Sequence, residues 1–183
     1  MSTPHTLVFI DVDGTIAPEG STPRTLHASG WSHWMTARAS GMQVIVSIEL
    51  LKAMRRITAM PGVQPRWLTD WNDDVHELGH VLDLGPFPET GGSVEDDGFD
   101  YKSAVILRDL EHTGVRRFVW LDNDAPGHSR NLTPAQHEAI APTLNATEKA
   151  VWTAGAERLI IGPRSTEGLT PADVAAVEQF CRR

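Results

Sequence analysis

The stretch that decides the fold is Leu7-Val8-Phe9-Ile10-Asp11-Val12-Asp13-Gly14-Thr15. Its first four residues form an unbroken apolar run, which is typical of a strand buried in a parallel sheet. Two aspartates follow at alternate positions, and on an extended segment such side chains point to the same side. The Asp-Gly pair then signals a turn. The stretch therefore predicts a buried strand that ends in a loop carrying two carboxylates.

Strand-like and helical patterns alternate along the rest of the chain. We predict further strands at 66–69, 117–121 and 159–161. We predict helices at 48–60 with Ser47 as N-cap, at 71–83, at 101–113, from Pro134 and near 146–154. A last helix, with Thr170 as N-cap and Pro171 at its first position, would run to about Cys181. Residues 16–30, 85–100 and most of 125–145 are predicted loops. This alternation predicts the α/β class with a mainly parallel sheet.

A β-hairpin is predicted before the first long helix. Its strands would be Trp31–Arg38 and Met42–Ser47, and the turn would be Ala39-Ser40-Gly41. One interpretation is a flap that closes over a site and stacks Trp31 and Trp34 on a base or sugar. The other, which we favour, is that these tryptophans pack the hairpin onto the sheet.

The bulk composition narrows the function classes. A chain of 183 residues suits one domain, and its net charge of -8 disfavours nucleic acid as a large partner. Cys181 is the only cysteine, which rules out an internal disulfide and fits a reducing compartment. No segment approaches the roughly 20 apolar residues of a membrane span. We therefore expect a cytoplasmic protein without membrane contact, and the oligomeric state stays open.

Oxygen-bearing side chains stand at the ends of three predicted strands. In chain order they are Asp11, Asp13, Thr69, Asp122 and Asp124. The carboxyl ends of parallel strands form the ligand-binding edge of an open α/β sheet, so one cleft can collect them. Neighbouring carboxylates repel each other unless a cation or a proton joins them, and Mg²⁺ commonly binds a few carboxylates, water and a substrate phosphate. Asp122 would complete the protein ligands.

This cluster suits phosphoryl transfer. With the charge of the phosphate compensated by Mg²⁺, Asp11 could attack phosphorus, and Asp13 could act as general acid and then as general base. Thr69 could donate a hydrogen bond to a phosphoryl oxygen. Lys102, at the start of the 101–113 helix, is the best placed cation. Gly14 would allow a tight turn close to the phosphate.

The order Asp-x-Asp-Gly-Thr, strand-Thr, Lys at a helix start and strand-Asp resembles the haloacid dehalogenase superfamily of phosphohydrolases. The resemblance implies a Rossmann-like fold with helices on both faces of the sheet, in which residues 1–183 form one domain and about 16–47 a loop and flap insertion. It implies Asp11 as nucleophile, Asp13 as general acid/base, Thr69 and Lys102 as phosphate and nucleophile contacts, and Mg²⁺ on Asp11, Asp122 and the backbone carbonyl of Asp13. An aspartate two places after the nucleophile marks the phosphatase-like members.

A narrower resemblance concerns the substrate. The segments Trp67-Leu68-Thr69-Asp70-Trp71, Val119-Trp120-Leu121-Asp122 and Gly168-Leu169-Thr170-Pro171 look like small, nearly capless bacterial members related to the domain of "Swiss Army Knife" RNA-repair proteins. Many members have two adjacent acids in the last motif, whereas here Asn123 precedes Asp124. We expect a small phosphorylated substrate. The alternatives are phosphorylated nucleic-acid ends and a non-catalytic binding module.

A competing motif lies in the predicted 71–83 helix. His76-Glu77-Leu78-Gly79-His80 matches His-Glu-x-x-His, in which two histidines bind zinc and the glutamate is the base of a peptidase. Gly79 weakens a helix, and Asp83 and Pro86 stand where the extended motif has Gly and His. The remaining candidates for a third ligand, which nothing in the sequence supports, are Glu89 and Glu95. We therefore rank the zinc peptidase far below the phosphatase.

Overall fold

The computed structural model describes residues 5–88, 101–140, 149–151 and 155–183. The strands are β1 (Thr6–Ile10), β2 (Trp34–Ala39), β3 (Met42–Ser47), β4 (Val63–Trp67), β5 (Arg117–Leu121) and β6 (Glu157–Ile161). The helices are α1 (Pro23–Ala28), α2 (Ile48–Thr58), α3 (Asp74–Val81), α4 (Tyr101–Thr113), α5 (Pro134–Ile140) and α6 (Pro171–Cys181). The described part of the chain is therefore of the α/β class, as predicted.

The apolar run at the start of the chain forms the centre of a parallel sheet. The strand order is β4-β1-β5-β6, and all three pairings are parallel. Every residue of β1 is buried, because strands flank it on both sides and helices cover both faces. The chain runs from β1 to β4 on one side and then returns to β5 on the other. This reversal opens a crevice at the carboxyl end of β1, the usual ligand position in such sheets.

Alternate side chains of the central strands enter two separate cores. Val8 and Ile10 of β1 pack with buried residues of α2, α3 and α6. Leu7 and Phe9 pack on the opposite face with residues of α4, and the ring of Phe9 meets that of Phe118 edge to face. The predicted helices on both faces are thus present, and the arrangement is compatible with a Rossmann-like fold.

The predicted hairpin is present with a shorter turn. β2 begins at Trp34 and includes Ala39, so that only Ser40 and Gly41 form the turn. Both turn residues have positive φ, 49° and 78°, which matches the twist of a two-residue hairpin. The Ser40 hydroxyl lies 2.7 Å from Asp74 and 2.8 Å from Glu77, so it attaches the hairpin to α3. Trp31 is half-buried against the core beside the hairpin, and its indole donates to the Leu169 carbonyl at 2.6 Å.

Several sequence predictions were wrong in their bounds, and β6 begins at Glu157 instead of Leu159. Residues 16–30, predicted as a loop, contain α1, because Thr22 caps a short helix whose first residue is Pro23. The strand predicted at 66–69 is β4, which covers 63–67. The first half of β4 is polar, so the sequence pattern does not indicate a strand there. Pro65 is tolerated there because β4 is an edge strand of the four-stranded sheet, where a missing backbone donor does little harm.

The predicted helix caps are confirmed. The Ser47 hydroxyl accepts a hydrogen bond from the Leu50 amide at the start of α2, and Thr170 with Asp173 forms a capping box at α6. The 71–83 helix begins later, at Asp74. Most of the predicted 85–100 loop and of the predicted 146–154 helix lies outside the described residues, although 149–151 are helical. Among the described helices, none has the length and apolar character needed to cross a membrane.

Candidate active site

Two neighbouring parallel strands deliver Asp11 and Asp122 to the same edge of the sheet. Each aspartate follows its strand directly, and the Asp11 amide donates to the Leu121 carbonyl at 2.9 Å, which keeps the two strand ends aligned. Both residues are buried, with exposed fractions of 4% and 1%. Buried carboxylates require hydrogen bonds or opposite charges, because the apolar surroundings disfavour the ionised form.

Lys102 joins these two carboxylates. It is the second residue of α4, and its Nζ lies 3.2 Å from Asp11 Oδ1 and 2.9 Å from Asp122 Oδ2. Burial opposes the charge on Lys102, but the two carboxylates outweigh this effect and raise its pKa. The structure thus brings together three residues that are far apart in sequence and that the sequence singled out for the site.

The buried cluster is short of positive charge. Two carboxylates share one ammonium, so burial and the charge of Asp122 raise the pKa of Asp11 to about 8 despite Lys102. A divalent cation would remove this imbalance. Within the described residues no three His, Cys, Asp or Glu side chains form a complete metal site. Two carboxylates with water, backbone oxygen and phosphate are nevertheless the usual surroundings of Mg²⁺, so the donor set fits that ion.

The loop after β1 is held against the loop after β5. The Thr15 hydroxyl donates a hydrogen bond to Asp11 Oδ2 at 3.3 Å and accepts one from the backbone N–H of Asn123 at 3.0 Å. Gly14 has a φ of 67°, and a Cβ there would lie 2.6 Å from Cγ of Asn123. Glycine is therefore required at position 14 because the backbone there passes close to the side chain of Asn123. The Thr15 carbonyl also accepts from the Leu169 amide at 2.9 Å.

The structure distinguishes the two residues that follow Asp122. Asn123 is buried against the β1 loop, whereas Asp124 is exposed. Asp124 contributes its backbone amide, which donates to Asp122 Oδ1 at 2.9 Å. The second oxygen of Asp122 accepts from the indole of Trp120 at 3.2 Å. The carboxylate of Asp122 is therefore held by the Asp124 backbone amide, the Trp120 indole and the Lys102 ammonium.

Asp13 lies at the wall of an open cavity of about 450 Å³. Its carboxylate is half-buried, and the indole Nε1 of Trp71 donates to Oδ2 at 2.8 Å. The cavity runs between the hairpin and the segment before α3, and its lining residues are Asp13, Met42, Asp70, Trp71, Asn72, Asp73 and Asp74. Four of these seven side chains are acidic and none is basic, so the cavity has a negative potential.

Thr69 is placed differently from the prediction. It lies two residues beyond the end of β4, half-buried, and its hydroxyl has no hydrogen-bond partner among the described residues. Its neighbour Asp70 accepts a short hydrogen bond from the hydroxyl of Tyr101. Burial and this bond raise the pKa of Tyr101. Because Tyr101 precedes Lys102, the bond connects the Thr69 segment to the start of α4.

Sequence reasoning missed four of these contacts. They are made by the side chains of Thr15, Trp71, Tyr101 and Trp120. Thr15 stands in the stretch that decides the fold, and a hydroxyl just after Asp-Gly was a usable signal. The direction of an indole N–H or a phenol O–H has no signal in one sequence, since it depends on the packing of distant elements.

His76 and His80 of the competing zinc motif line one cavity, but no three His, Cys, Asp or Glu side chains of the described residues lie together as a metal site. His76, Glu77 and His80 are all exposed on α3, and Glu77 accepts a hydrogen bond from Ser40. Gly79 has a packing role, because a Cβ there would lie 2.7 Å from the Leu84 carbonyl oxygen. The third-ligand candidates Glu89 and Glu95 lie outside the described residues.

No protein-family model matches the chain, and no match to a curated protein was found.

Proposed function

We propose that the protein is a Mg²⁺-dependent phosphomonoesterase of the haloacid dehalogenase type, with Asp11 as nucleophile. The observation that carries the proposal is the contact of Lys102 with both Asp11 and Asp122 at the carboxyl end of parallel strands. The reversal of strand order at β1 places this cluster in the crevice where such folds bind ligands. Asp13, two residues after Asp11 and half-buried, supplies a third carboxylate, to which the proposal assigns proton transfer.

The first half of the reaction transfers the phosphoryl group to the protein. A carboxylate oxygen of Asp11 forms a bond to phosphorus, and the bond between phosphorus and the substrate oxygen breaks. The electron pair leaves with that oxygen, and Asp13 donates the proton that makes it an alcohol. Thr69 and Lys102 donate hydrogen bonds to phosphoryl oxygens, and Lys102 also orients the nucleophile.

The second half regenerates the enzyme. A water molecule attacks the phosphorus of the aspartyl-phosphate while Asp13, now ionised, accepts the proton of the water. The bond between phosphorus and Asp11 breaks, which releases inorganic phosphate and the free carboxylate. When bound by Asp11, Asp122 and the Asp13 carbonyl, Mg²⁺ would supply the positive charge that the buried cluster lacks.

The charges of the site favour a small substrate over a nucleic-acid end. The cavity beside Asp13 carries four acidic side chains and no basic one, and the whole chain has a net charge of -8. A polyanionic strand would be repelled there, because proteins that bind nucleic acids contact phosphates with Lys and Arg. A small phosphomonoester with a neutral remainder carries charge only on its phosphoryl group, next to Lys102, and brings no further phosphates into the acidic cavity.

The test compares two variants that each lose one carboxylate. Asp11→Asn should abolish Mg²⁺-dependent hydrolysis of an aryl phosphate, and mass spectrometry should find a trapped phosphoryl group on Asp11 of the wild-type protein. Asp83→Asn is the matched control, because Asp83 is exposed and its φ of 51° is one that Asn tolerates. Full activity of the Asp11 variant would refute the proposal.

Two further measurements separate the alternatives. If no phosphate ester in a panel of nucleotides, sugar phosphates and phosphorylated oligonucleotides is hydrolysed with Mg²⁺, a non-catalytic binding module is favoured. If the purified protein contains stoichiometric zinc that His76→Ala removes, the peptidase motif is favoured instead.

A further inference from the structure

We propose that Trp71 is a positioning residue for proton transfer, whose indole N–H holds the carboxylate of Asp13 against the leaving group. This inference rests on the proposed function, because it assigns a partner to the proposed general acid and base. It gives a role to a residue that the sequence singled out only as part of the segment Trp67-Leu68-Thr69-Asp70-Trp71.

The geometry of the contact is specific. Trp71 Nε1 lies 2.8 Å from Asp13 Oδ2, and the bond spans 58 positions of the chain. The indole is only 6% exposed and belongs to the core formed by β1, α2 and α3, so its N–H direction is fixed. Asp13, in contrast, lies on a loop and is half-buried at the wall of the acidic cavity. The buried indole therefore orients the half-buried carboxylate.

The indole is chemically suited to this task. Its N–H can donate a hydrogen bond but cannot accept one, so it never competes with the substrate for the proton. An oxygen that accepts this bond retains it whether the carboxyl group is ionised or neutral. With Oδ2 held by Trp71, Oδ1 is left to give its proton to the leaving oxygen and to take one from water.

The backbone around Trp71 holds the indole in place. Asn72 has a φ of 49°, and its side-chain amide donates to the Asp70 carbonyl at 3.1 Å. The Trp71 carbonyl accepts from the Asp74 amide at the start of α3. Asp70 in turn accepts the hydrogen bond from Tyr101. The turn that carries the indole is thus fixed at both of its ends.

The experiment measures the dependence of kcat/KM on the leaving group. Ethyl phosphate needs a proton on its leaving oxygen, whereas dinitrophenyl phosphate releases a stable anion. Trp71→Phe removes the N–H, and we expect it to lower kcat/KM about 10- to 100-fold for ethyl phosphate and less than about 3-fold for dinitrophenyl phosphate. Asp13→Asn is the reference and should show the same selectivity with a larger loss. The ratio of the two values does not depend on the fraction of folded enzyme, so it is informative even if the variant folds poorly.

The outcomes separate this inference from the proposed function. If Trp71→Phe lowers kcat/KM equally for both substrates, or does not lower it, then Trp71 only fills the core and the inference is overturned. Trp71→Leu also lacks the N–H but has a different side-chain volume, so its ratio of kcat/KM for the two substrates should equal that of the Phe variant. If the Leu variant instead has the wild-type ratio, the inference is also overturned. If Asp11→Asn retains activity, the proposed function itself fails, whatever the Trp71 variants do.

Discussion

Replacing Lys102 with Met should destabilise the metal-free protein strongly. The ammonium contacts both Asp11 and Asp122, and the lysine side chain is only 17% exposed. Its removal leaves the buried carboxylate of Asp122, next to the carboxyl group of Asp11, without a cation. Breaking a buried ion pair in this way typically costs 3–5 kcal/mol, and the partial exposure of the lysine places the expected loss near the lower end, at about 3 kcal/mol.

Thermal unfolding at neutral pH measures this loss. For a chain of this size, 1 kcal/mol corresponds to about 2–4 °C, so Tm should fall by about 6–12 °C without metal. Saturating Mg²⁺ should raise the Tm of the variant more than that of the wild type, because the added cation replaces the missing charge. Lys52→Met is the matched control, since Lys52 is exposed on α2 and should change stability by less than about 0.5 kcal/mol.

Two results would refute this reasoning. If the Lys102 variant melts within about 2 °C of the Lys52 variant, the ammonium does not neutralise the buried pair. If Mg²⁺ raises the Tm of wild type and variant equally, the cation does not bind next to the carboxylates that Lys102 contacts.

Further predictions concern the same site and its supports. Asp11→Asn should raise the stability of the metal-free protein at pH 8, because the raised pKa makes the folded state keep a proton that the unfolded state releases. The stability of the wild type therefore falls as the pH rises from about 4 to about 8, and the gap between the two proteins should close below about 4 in pH-dependent denaturant unfolding. In a urea titration, Gly14→Ala should lower the free energy of unfolding by about 1–3 kcal/mol, because the new Cβ is strained by the positive φ and also clashes with Asn123. Gly20→Ala has a similar φ of 56° but nothing within 4 Å of the new Cβ, so it should show only the smaller loss that comes from backbone strain. Thr170→Ala should cost about 1 kcal/mol through loss of the α6 cap, and a cost of zero would contradict the capping box.

The parts of the fold that could be predicted are those with strong local patterns. β1 is an unbroken apolar run, and α2 combines a serine cap with a clear helical period, so both were found from sequence. β4 was misplaced because Gln64 and Pro65 have little strand propensity, and only pairing with β1 makes them a strand. The short α1 was missed although a threonine cap and Pro23 mark its start.

The candidate site likewise has one part that the sequence predicts and one part that it does not. Asp11, Asp122 and Lys102 could be grouped in advance, because strand ends and helix starts meet at one edge of a parallel sheet. The bonds from Trp71 to Asp13 and from Tyr101 to Asp70 could not, because they join residues 58 and 31 positions apart through side-chain directions. Such directions are set by the packed core and not by any local pattern.

The hydrogen bond from the Leu169 amide to the Thr15 carbonyl has a consequence for biosynthesis. Asp11 is synthesised more than a hundred residues before Leu169, so its loop gains this partner only when that later segment has followed. The central strand also waits, since its neighbour β5 begins at Arg117. A nascent chain that has been synthesised only as far as β4 therefore has Asp11 without Lys102, without Asp122 and without the hydrogen bond from Leu169 to its loop.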